Sequence, residues 1–121
     1  MSNAVCDITP DERRMLSRLH RCPVLYLGSA SLRDFFHMSS GYRFAMQNAG
    51  QLEQHNLLPE GLNEFTKRWY GGDLGTRNWY TMIVLHEPDD TAALETFFEI
   101  LDAYLLELGY APIDAPAENC R

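Results

Sequence analysis

The chain has 121 residues and a mass of 13.9 kDa, which suits one compact domain and is too short for two. Hydrophobic residues make up 45% of it, enough to build a core, which excludes a globally disordered chain. Seventeen acidic and ten basic side chains give a net charge of −7, which disfavours nucleic acid and anionic membranes as direct partners. The N-terminus lacks the features of a signal peptide, and no apolar run is long enough to span a membrane.

The three cysteines, Cys6, Cys22 and Cys120, contain no Cys-x-x-Cys pair and are odd in number. Such a set is a poor disulfide framework and a poor zinc site. We therefore predict reduced thiols in a cytoplasmic protein. The four histidines are scattered without metal-ligand spacing, so we predict no metal and no other cofactor.

The first helix is predicted to begin at Thr9 and Pro10, with Glu12 at the capping-box position, and to stop before Pro23. The next short apolar stretch, 23–28, is ambiguous between an extended linker and a buried turn. It therefore adds no helix to the prediction.

A second helix is predicted from the Ser31 cap to Gly50. Its apolar side chains recur at helical spacing: Leu32, Phe35, Phe36, Ser39, Tyr42, Ala45, Met46 and Ala49. Gly41 interrupts this pattern at a propensity cost of about 1 kcal/mol, which indicates a close helix crossing.

A third helix is predicted over 59–70, where Gly71 and Gly72 end it, and a glycine-rich loop follows over 71–78. The segment 79–86 is ambiguous. Its β-branched and aromatic content favours a strand, whereas Trp79, Met82, Ile83 and His86 fit one helical face. We predict a helix there.

The last helix is predicted to begin at the acidic caps Asp89 and Asp90 and to end at Gly109. Seven large apolar residues form its inner face: Leu94, Phe97, Phe98, Leu101, Tyr104, Leu105 and Leu108. Residues 110–121 are expected to form a mobile tail. Together these segments predict an all-α fold, a single compact domain over 1–121 with about five helices.

Charge is distributed unevenly along the chain. Residues 1–50 carry a net charge of +2, since six arginines outnumber four acids, whereas residues 51–121 carry −9. The segment 87–118 contains nine acids and no base. On the last helix Glu95, Glu99 and Asp102 lie at i, i+4 and i+7, so they share one stripe. This stripe is either an ordinary solvated face or an acidic docking surface for a basic partner.

The arginines of the first helix are expected to be solvated or paired with that acidic surface; they are Arg13, Arg14, Arg18 and Arg21. Trp79 and Tyr80 lie beside the glycine-rich loop and belong either to the core or to a binding surface. No catalytic motif is recognisable, since no serine follows a strained turn and no glycine-rich loop ends in the lysine of a P-loop. We therefore predict no enzymatic activity and no catalytic residues.

The segment 23–50 contains a Tyr-Leu-Gly turn at 26–28, a Ser-Leu helix start at 31–32, and Gly-Tyr at 41–42. Further along are Phe65 and Trp69, then Trp79, then an acidic helix start before Phe97–Asp102. Over about residues 20–108 this pattern resembles the small bacterial immunity proteins of contact-dependent inhibition and polymorphic toxin systems. The resemblance implies a protein that neutralises a cognate toxin domain by binding it. Many such toxins are nucleases with basic substrate clefts.

The resemblance supplies no contact residues, because these vary with each toxin, so the charge pattern must supply them. We expect a 1:1 complex in which an acidic surface covers the basic cleft of a nuclease. The predicted partner-binding residues are Glu95, Glu99, Asp102, Asp89, Asp90, Glu87, Asp73, Trp79 and Tyr80. The alternatives are a non-catalytic adaptor that recognises another basic protein or its own copy, and an enzyme with a carboxylate-based site.

Overall fold

The computed structural model describes residues 8–72, 75 and 77–113, and these residues form helices and no strand. The helices are α1 (Pro10–Arg21), α2 (Pro23–Leu27), α3 (Leu32–Asn48), α4 (Leu62–Tyr70), α5 (Trp79–His86) and α6 (Asp90–Glu107). The predicted all-α single domain is confirmed, and so is the choice of helix over strand at 79–86. None of the helices in the described segments combines the length and hydrophobicity needed to cross a membrane.

The core is built around α6, which packs against α3, α4 and α5. Eight of its side chains are buried: Ala93, Leu94, Phe97, Phe98, Ile100, Leu101, Tyr104 and Leu105. Phe97 is the centre of an aromatic cluster, with ring centroids 4.9 Å from Phe35 and 4.7 Å from Trp79. Because α6 buries this inner face, its opposite face is fixed toward solvent.

The stretch 23–28, predicted as a linker or a buried turn, is instead the short helix α2, with Pro23 at its first position. Gly28 ends it in the left-handed conformation, at φ 83°. Both sequence-based alternatives were wrong because five residues are too few to display a 3.6-residue period. The residues of α2 are also largely exposed, not buried.

Gly41 does not mark a helix crossing, which corrects the prediction. It is exposed, and no heavy atom lies within 4 Å of the position that a Cβ would occupy there. Only the first half of α3 is buried, through Leu32, Phe35 and Ser39. The helical period therefore predicted which side of α3 is apolar, but it did not predict how many turns of that side are buried in the domain.

The third predicted helix begins later than expected, at Leu62 rather than at residue 59. Gly61 adopts a left-handed conformation, at φ 87°, which is incompatible with a helix running through it. The Tyr104 hydroxyl donates a 2.8 Å hydrogen bond to the Glu60 carbonyl, and a Cβ on Gly61 would collide with that hydroxyl. A close approach of α6 thus requires glycine at this position.

The described part of the predicted tail, 110–113, packs against the domain. The Ile113 side chain is buried, and its backbone N–H donates to Asp102 at 2.6 Å. The Arg13 guanidinium donates to the carbonyls of Ala111 and Pro112 at 2.8 and 3.0 Å. Residues 114–121, on which the rest of the tail prediction falls, lie outside the described residues.

Cys22, between α1 and α2, is disulfide-bonded and buried. This corrects the prediction that all three thiols are reduced. An odd cysteine count leaves room for one bridge, and distance along the chain does not determine which thiols meet in space. The other two cysteines, Cys6 and Cys120, lie outside the described residues.

Candidate partner-binding surface

The outer side of α6 presents acidic side chains to solvent. Glu95 and Glu99 are both exposed and stand one helical turn apart. Neither forms an ion pair or a hydrogen bond with any residue in the described part of the chain. Their charges are therefore not neutralised within the described fold.

The end of α5 extends this acidic surface. Glu87 is the C-cap residue of α5, and the Tyr70 side chain from α4 lies near both Glu87 and Glu99. Burial raises the pKa of Tyr70 above its usual 10.0, and the negative charges of Glu87 and Glu99 raise it further. We call Glu87, Glu95 and Glu99 the acidic face.

The Tyr70 ring packs against α5, beside the acidic face. Its ring stacks on His86 with centroids 3.8 Å apart, and His86 Nδ1 lies 2.9 Å from the Met82 carbonyl. The Tyr70 hydroxyl is buried and finds no hydrogen-bond partner among the described residues. A neutral phenol is therefore favoured in this negative environment, which leaves the surface charge to the glutamates.

Asp102 lies on the same side of α6 as Glu95 and Glu99, but its carboxylate forms a hydrogen bond within the domain. It is half-buried and accepts the 2.6 Å hydrogen bond from the Ile113 N–H. It therefore holds the segment 110–113 against α6. Of the three acidic residues on this side of α6, Glu95 and Glu99 are exposed and Asp102 is half-buried.

The two aspartates before α6 also serve the fold. Asp89 is the N-cap and accepts a 3.1 Å hydrogen bond from the Ala92 N–H. Asp90 accepts hydrogen bonds from the Ser31 hydroxyl and, at 3.1 Å, from the Arg33 N–H. Asp90 therefore ties the start of α6 to the start of α3, whereas Asp89 remains exposed at the rim.

The remaining predicted contact residues lie elsewhere. Trp79 is only 8% exposed and packs between Phe35 and Phe97, so it belongs to the core. Tyr80 is half-buried and stacks on Phe36 with ring centroids 4.3 Å apart. Asp73 lies outside the described residues.

An exposed apolar residue on the same stripe was missed. Leu106 is 62% exposed and follows Glu99 by seven residues, so it lies on the outer side of α6. Glu107 beside it is paired with Arg68 of α4 at 3.0 Å. The spacing of 95, 99, 102 and 106 was visible in the sequence, but Leu106 was not separated there from the apolar core residues around it.

None of the described contacts of the α1 arginines is with the acidic face. Arg13 binds the carbonyls of 111–112, Arg14 pairs with Asp11, and Arg21 donates to Ser17. Arg18 is exposed, with no ion pair in the described part of the chain. The two charge regions of the sequence therefore stay on separate helices.

Glu12 forms a second cluster, which sequence reasoning also missed. Only 1% of this residue is exposed, and its carboxylate accepts hydrogen bonds from the Thr9 and Tyr42 hydroxyls. His55 Nδ1 lies 3.0 Å from the same carboxylate. Burial raises the pKa of Tyr42 to about 12, helped by the hydrogen bond and the charge of Glu12. The predicted capping box is absent, because the Glu12 carboxylate bonds side chains instead of the Thr9 backbone.

The cluster ties α1, α3 and the segment before α4 together. Neither described cavity is lined by Glu12. The larger one, a half-open groove of about 510 Å³, lies between α3, the segment 52–61, α4 and α5. One of its polar groups, the Ser39 hydroxyl, already donates to the Phe36 carbonyl at 3.0 Å.

The described residues contain no group of three metal-ligating side chains placed to share an ion. No protein-family model, curated protein sequence or solved structure matches the chain.

Proposed function

We propose that this protein is an immunity protein that binds a bacterial toxin domain and blocks the basic cleft of that domain with the acidic face. The observation that carries the proposal is the pair Glu95 and Glu99, which is exposed and forms no ion pair with the residues that the structure describes. Repulsion between these like charges on one helix costs a few tenths of a kcal/mol. A basic partner would turn that cost into attraction.

The proposed inhibition has an electrostatic and a steric part. A concentrated negative surface speeds association with a basic toxin, most strongly at low salt. Close packing then excludes nucleic acid from the cleft and needs an apolar anchor as well as charge. Leu106 lies on the same side of α6 and is suited to that role. No catalytic group and no cofactor takes part, and the complex is 1:1.

The negative charge of the protein supports the choice of partner. Nucleic acids and anionic membranes reward basic surfaces, whereas this protein carries −7 overall. A nuclease cleft, which is built to hold phosphates, offers the opposite charge. The resemblance of about residues 20–108 to immunity proteins supports the same choice on separate grounds.

The disulfide at Cys22 favours a second candidate. A nuclease meets its substrate in the cytoplasm, so an inhibitor of a nuclease would act there with reduced thiols. Disulfides persist in oxidising compartments. The second candidate is therefore an immunity protein for a toxin that acts in the cell envelope. Thiol labelling of protein taken from cytoplasmic and envelope fractions separates the two locations.

Immunity proteins of this kind are encoded beside their toxins, so the test is co-purification with the product of the gene immediately upstream, followed by RNA and DNA cleavage with and without this protein. We expect a stable complex and suppressed cleavage. A neighbour that cleaves nucleic acid but neither binds nor is inhibited would contradict the proposal. It would leave the adaptor function, in which the acidic face meets a different basic protein.

The same assay locates the surface. The double variant Glu95→Lys/Glu99→Lys should weaken inhibition at least about tenfold, because it replaces attraction by repulsion. The control Glu53→Lys/Glu60→Lys changes the net charge equally at two exposed glutamates outside the acidic face, of which Glu60 meets α6 only through its backbone carbonyl. Equal losses in both variants would point to net charge alone and not to the acidic face.

A further inference from the structure

Cys22 is disulfide-bonded, and the structure holds a single chain, so its partner is one of the other two cysteines, Cys6 or Cys120. Cys22 is buried at the junction of α1 and α2, where its backbone N–H donates a 2.8 Å hydrogen bond to the Arg18 carbonyl. A disulfide requires the two Cα atoms to lie within about 7 Å of one another. The length of α1 therefore decides between the two candidates.

Cys6 cannot meet this requirement, because α1 keeps it too far from Cys22. Thr9 is the N-cap of α1 and Cys22 is its C-cap, so the helix separates their Cα atoms by about 20 Å. Cys6 precedes Thr9 by three residues, which span at most about 11 Å when fully extended. A straight chain and the longest permitted Cα–Cα distance together cover only about 18 Å. Cys6 is therefore out of reach, although it is the nearer of the two cysteines in sequence.

Cys120 is within reach, although it lies much farther along the chain. Arg13 holds the segment 110–113 beside α1 through hydrogen bonds of 2.8 and 3.0 Å to two of its carbonyls. From Arg13 to Cys22 the helix rises by about 14 Å. Seven residues lead from the end of this segment to Cys120, and they can span up to about 25 Å. This length covers the rise of the helix with enough left over for the Arg13 side chain.

We propose that Cys22 is bonded to Cys120 and that this bridge is a redox-sensitive clasp, which ties the end of the chain to the junction of α1 and α2. Cys6 then remains a thiol. The bridge closes a loop that contains α2 to α6, and a disulfide stabilises more when the loop that it closes is longer. It adds a covalent bond to the hydrogen bonds that already hold the segment 110–113 against the domain.

Formation of the clasp removes two electrons and two protons from the thiols of Cys22 and Cys120. Oxidised glutathione accepts them by thiol–disulfide exchange. One protein thiolate attacks the glutathione disulfide and releases the first glutathione thiol, and the second protein thiol then displaces the other glutathione from the mixed disulfide. A thiol reductant reverses both steps. The clasp uses no residue of the acidic face, so it is independent of the toxin-binding proposal.

Peptide mapping of the full chain by mass spectrometry tests the pairing directly. The protein is treated with oxidised glutathione, alkylated with iodoacetamide and digested with trypsin without reduction. We expect the peptide 22–33 to be linked to the peptide 78–121. The peptide 1–13 should be unlinked, with Cys6 alkylated or carrying glutathione. Any other partner of Cys22, or an alkylated Cys22, would overturn the proposal.

Cysteine variants test the clasp in the folded protein. We expect a thiol reductant to raise the unfolding equilibrium constant of the oxidised wild type at least about thirtyfold, as measured by urea denaturation. Cys120→Ser should lose this sensitivity because it lacks the bridge, whereas the matched control Cys6→Ser should keep it.

Three outcomes of this experiment would overturn the clasp: a wild type that is insensitive to reduction, equal sensitivity in Cys120→Ser, or lost sensitivity in Cys6→Ser. Circular dichroism checks that each variant is helical. The peptide map uses the wild-type chain, so it decides the pairing even where a variant fails to fold.

Discussion

The carboxylates of α1 and α6 have opposite environments. Glu12 of α1 is enclosed and receives hydrogen bonds from three side chains, whereas Glu95 and Glu99 of α6 face solvent and have no partner within residues 8–72, 75 and 77–113. A buried charge is tolerated only when donors surround it, so Glu12 is committed to the fold. An exposed, unpaired carboxylate adds little to stability and remains available to a partner. Carboxylates that accept hydrogen bonds within the domain therefore stabilise the fold, whereas exposed carboxylates without such bonds are the candidates for binding a partner.

The largest expected effect comes from Glu12→Gln. The amide replaces one of the two carboxylate oxygens by an NH2 group, which cannot accept, so the half-buried hydroxyls of Thr9 and Tyr42 and the His55 ring can no longer all donate to this side chain. We expect the free energy of unfolding to fall by about 2–3 kcal/mol. Urea denaturation measures it. The matched control Glu95→Gln makes the same chemical change on the surface and should stay within about 0.5 kcal/mol of wild type. Equal losses of unfolding free energy in Glu12→Gln and Glu95→Gln would contradict the assignment of Glu12 to the fold and Glu95 to binding.

Asp90 is an acid within the acidic segment that we assign to the fold. Asp90→Ala removes the acceptor for the Ser31 hydroxyl and the Arg33 N–H, so α6 loses its tie to α3. The expected loss is about 1–2 kcal/mol of unfolding free energy, seen as a lower thermal midpoint. Glu95→Ala is the matched control and should leave the midpoint nearly unchanged. An unchanged thermal midpoint for Asp90→Ala would show that the hydrogen bonds of Asp90 do not stabilise the fold, and it would contradict the assignment of this acid to the fold.

Leu106→Ala tests the apolar end of the acidic face. Because the Leu106 side chain is largely exposed, we expect little change in stability. In complex with the toxin the same truncation removes a buried anchor, so affinity should fall by about tenfold. Calorimetric titration measures this loss. The control Leu85→Ala, at an exposed leucine of α5, measures how much affinity is lost when any exposed leucine is truncated. Equal losses at the two leucines would remove the specific anchor role.

The smallest expected effect is a pH dependence at Tyr42. Its pKa in the folded protein, about 12, lies above the ordinary 10.0, so the folded state holds the phenol proton more tightly than the unfolded chain. This contribution to stability is present below pH 10 and is lost as the pH rises toward 12. Tyr42→Phe should therefore flatten the decline in stability over that range. Tyr26→Phe, at an exposed tyrosine, should not flatten it.

Local rules predicted much of the fold. The caps at Ser31 and Asp89 and the apolar period of α6 each depend on residues a few positions apart, and the structure has these elements. The five-residue helix α2 was not predicted because it is shorter than two helical turns and shows no apolar period. Gly41 misled because its low helix propensity was interpreted as a packing requirement, although it faces solvent.

The candidate site was predictable only in part for the same physical reason. The stripe of Glu95 and Glu99 follows from one helix and could be found from spacing. The internal tasks of Glu12 and Asp90 depend on partners 30 to 59 residues away, which no local pattern reveals. The Cys22 disulfide likewise depends on which thiols meet in space, so counting cysteines could not find it.

The most direct measurement is the association rate constant of this protein with the toxin domain, by stopped flow, across a range of salt concentrations. The account predicts a rate for wild type that falls steeply as salt rises, and a slower, nearly flat profile for Glu95→Lys/Glu99→Lys. The control Glu53→Lys/Glu60→Lys should stay close to the wild-type profile. Identical steep profiles for wild type and Glu95→Lys/Glu99→Lys would contradict the claim that the acidic face meets the toxin.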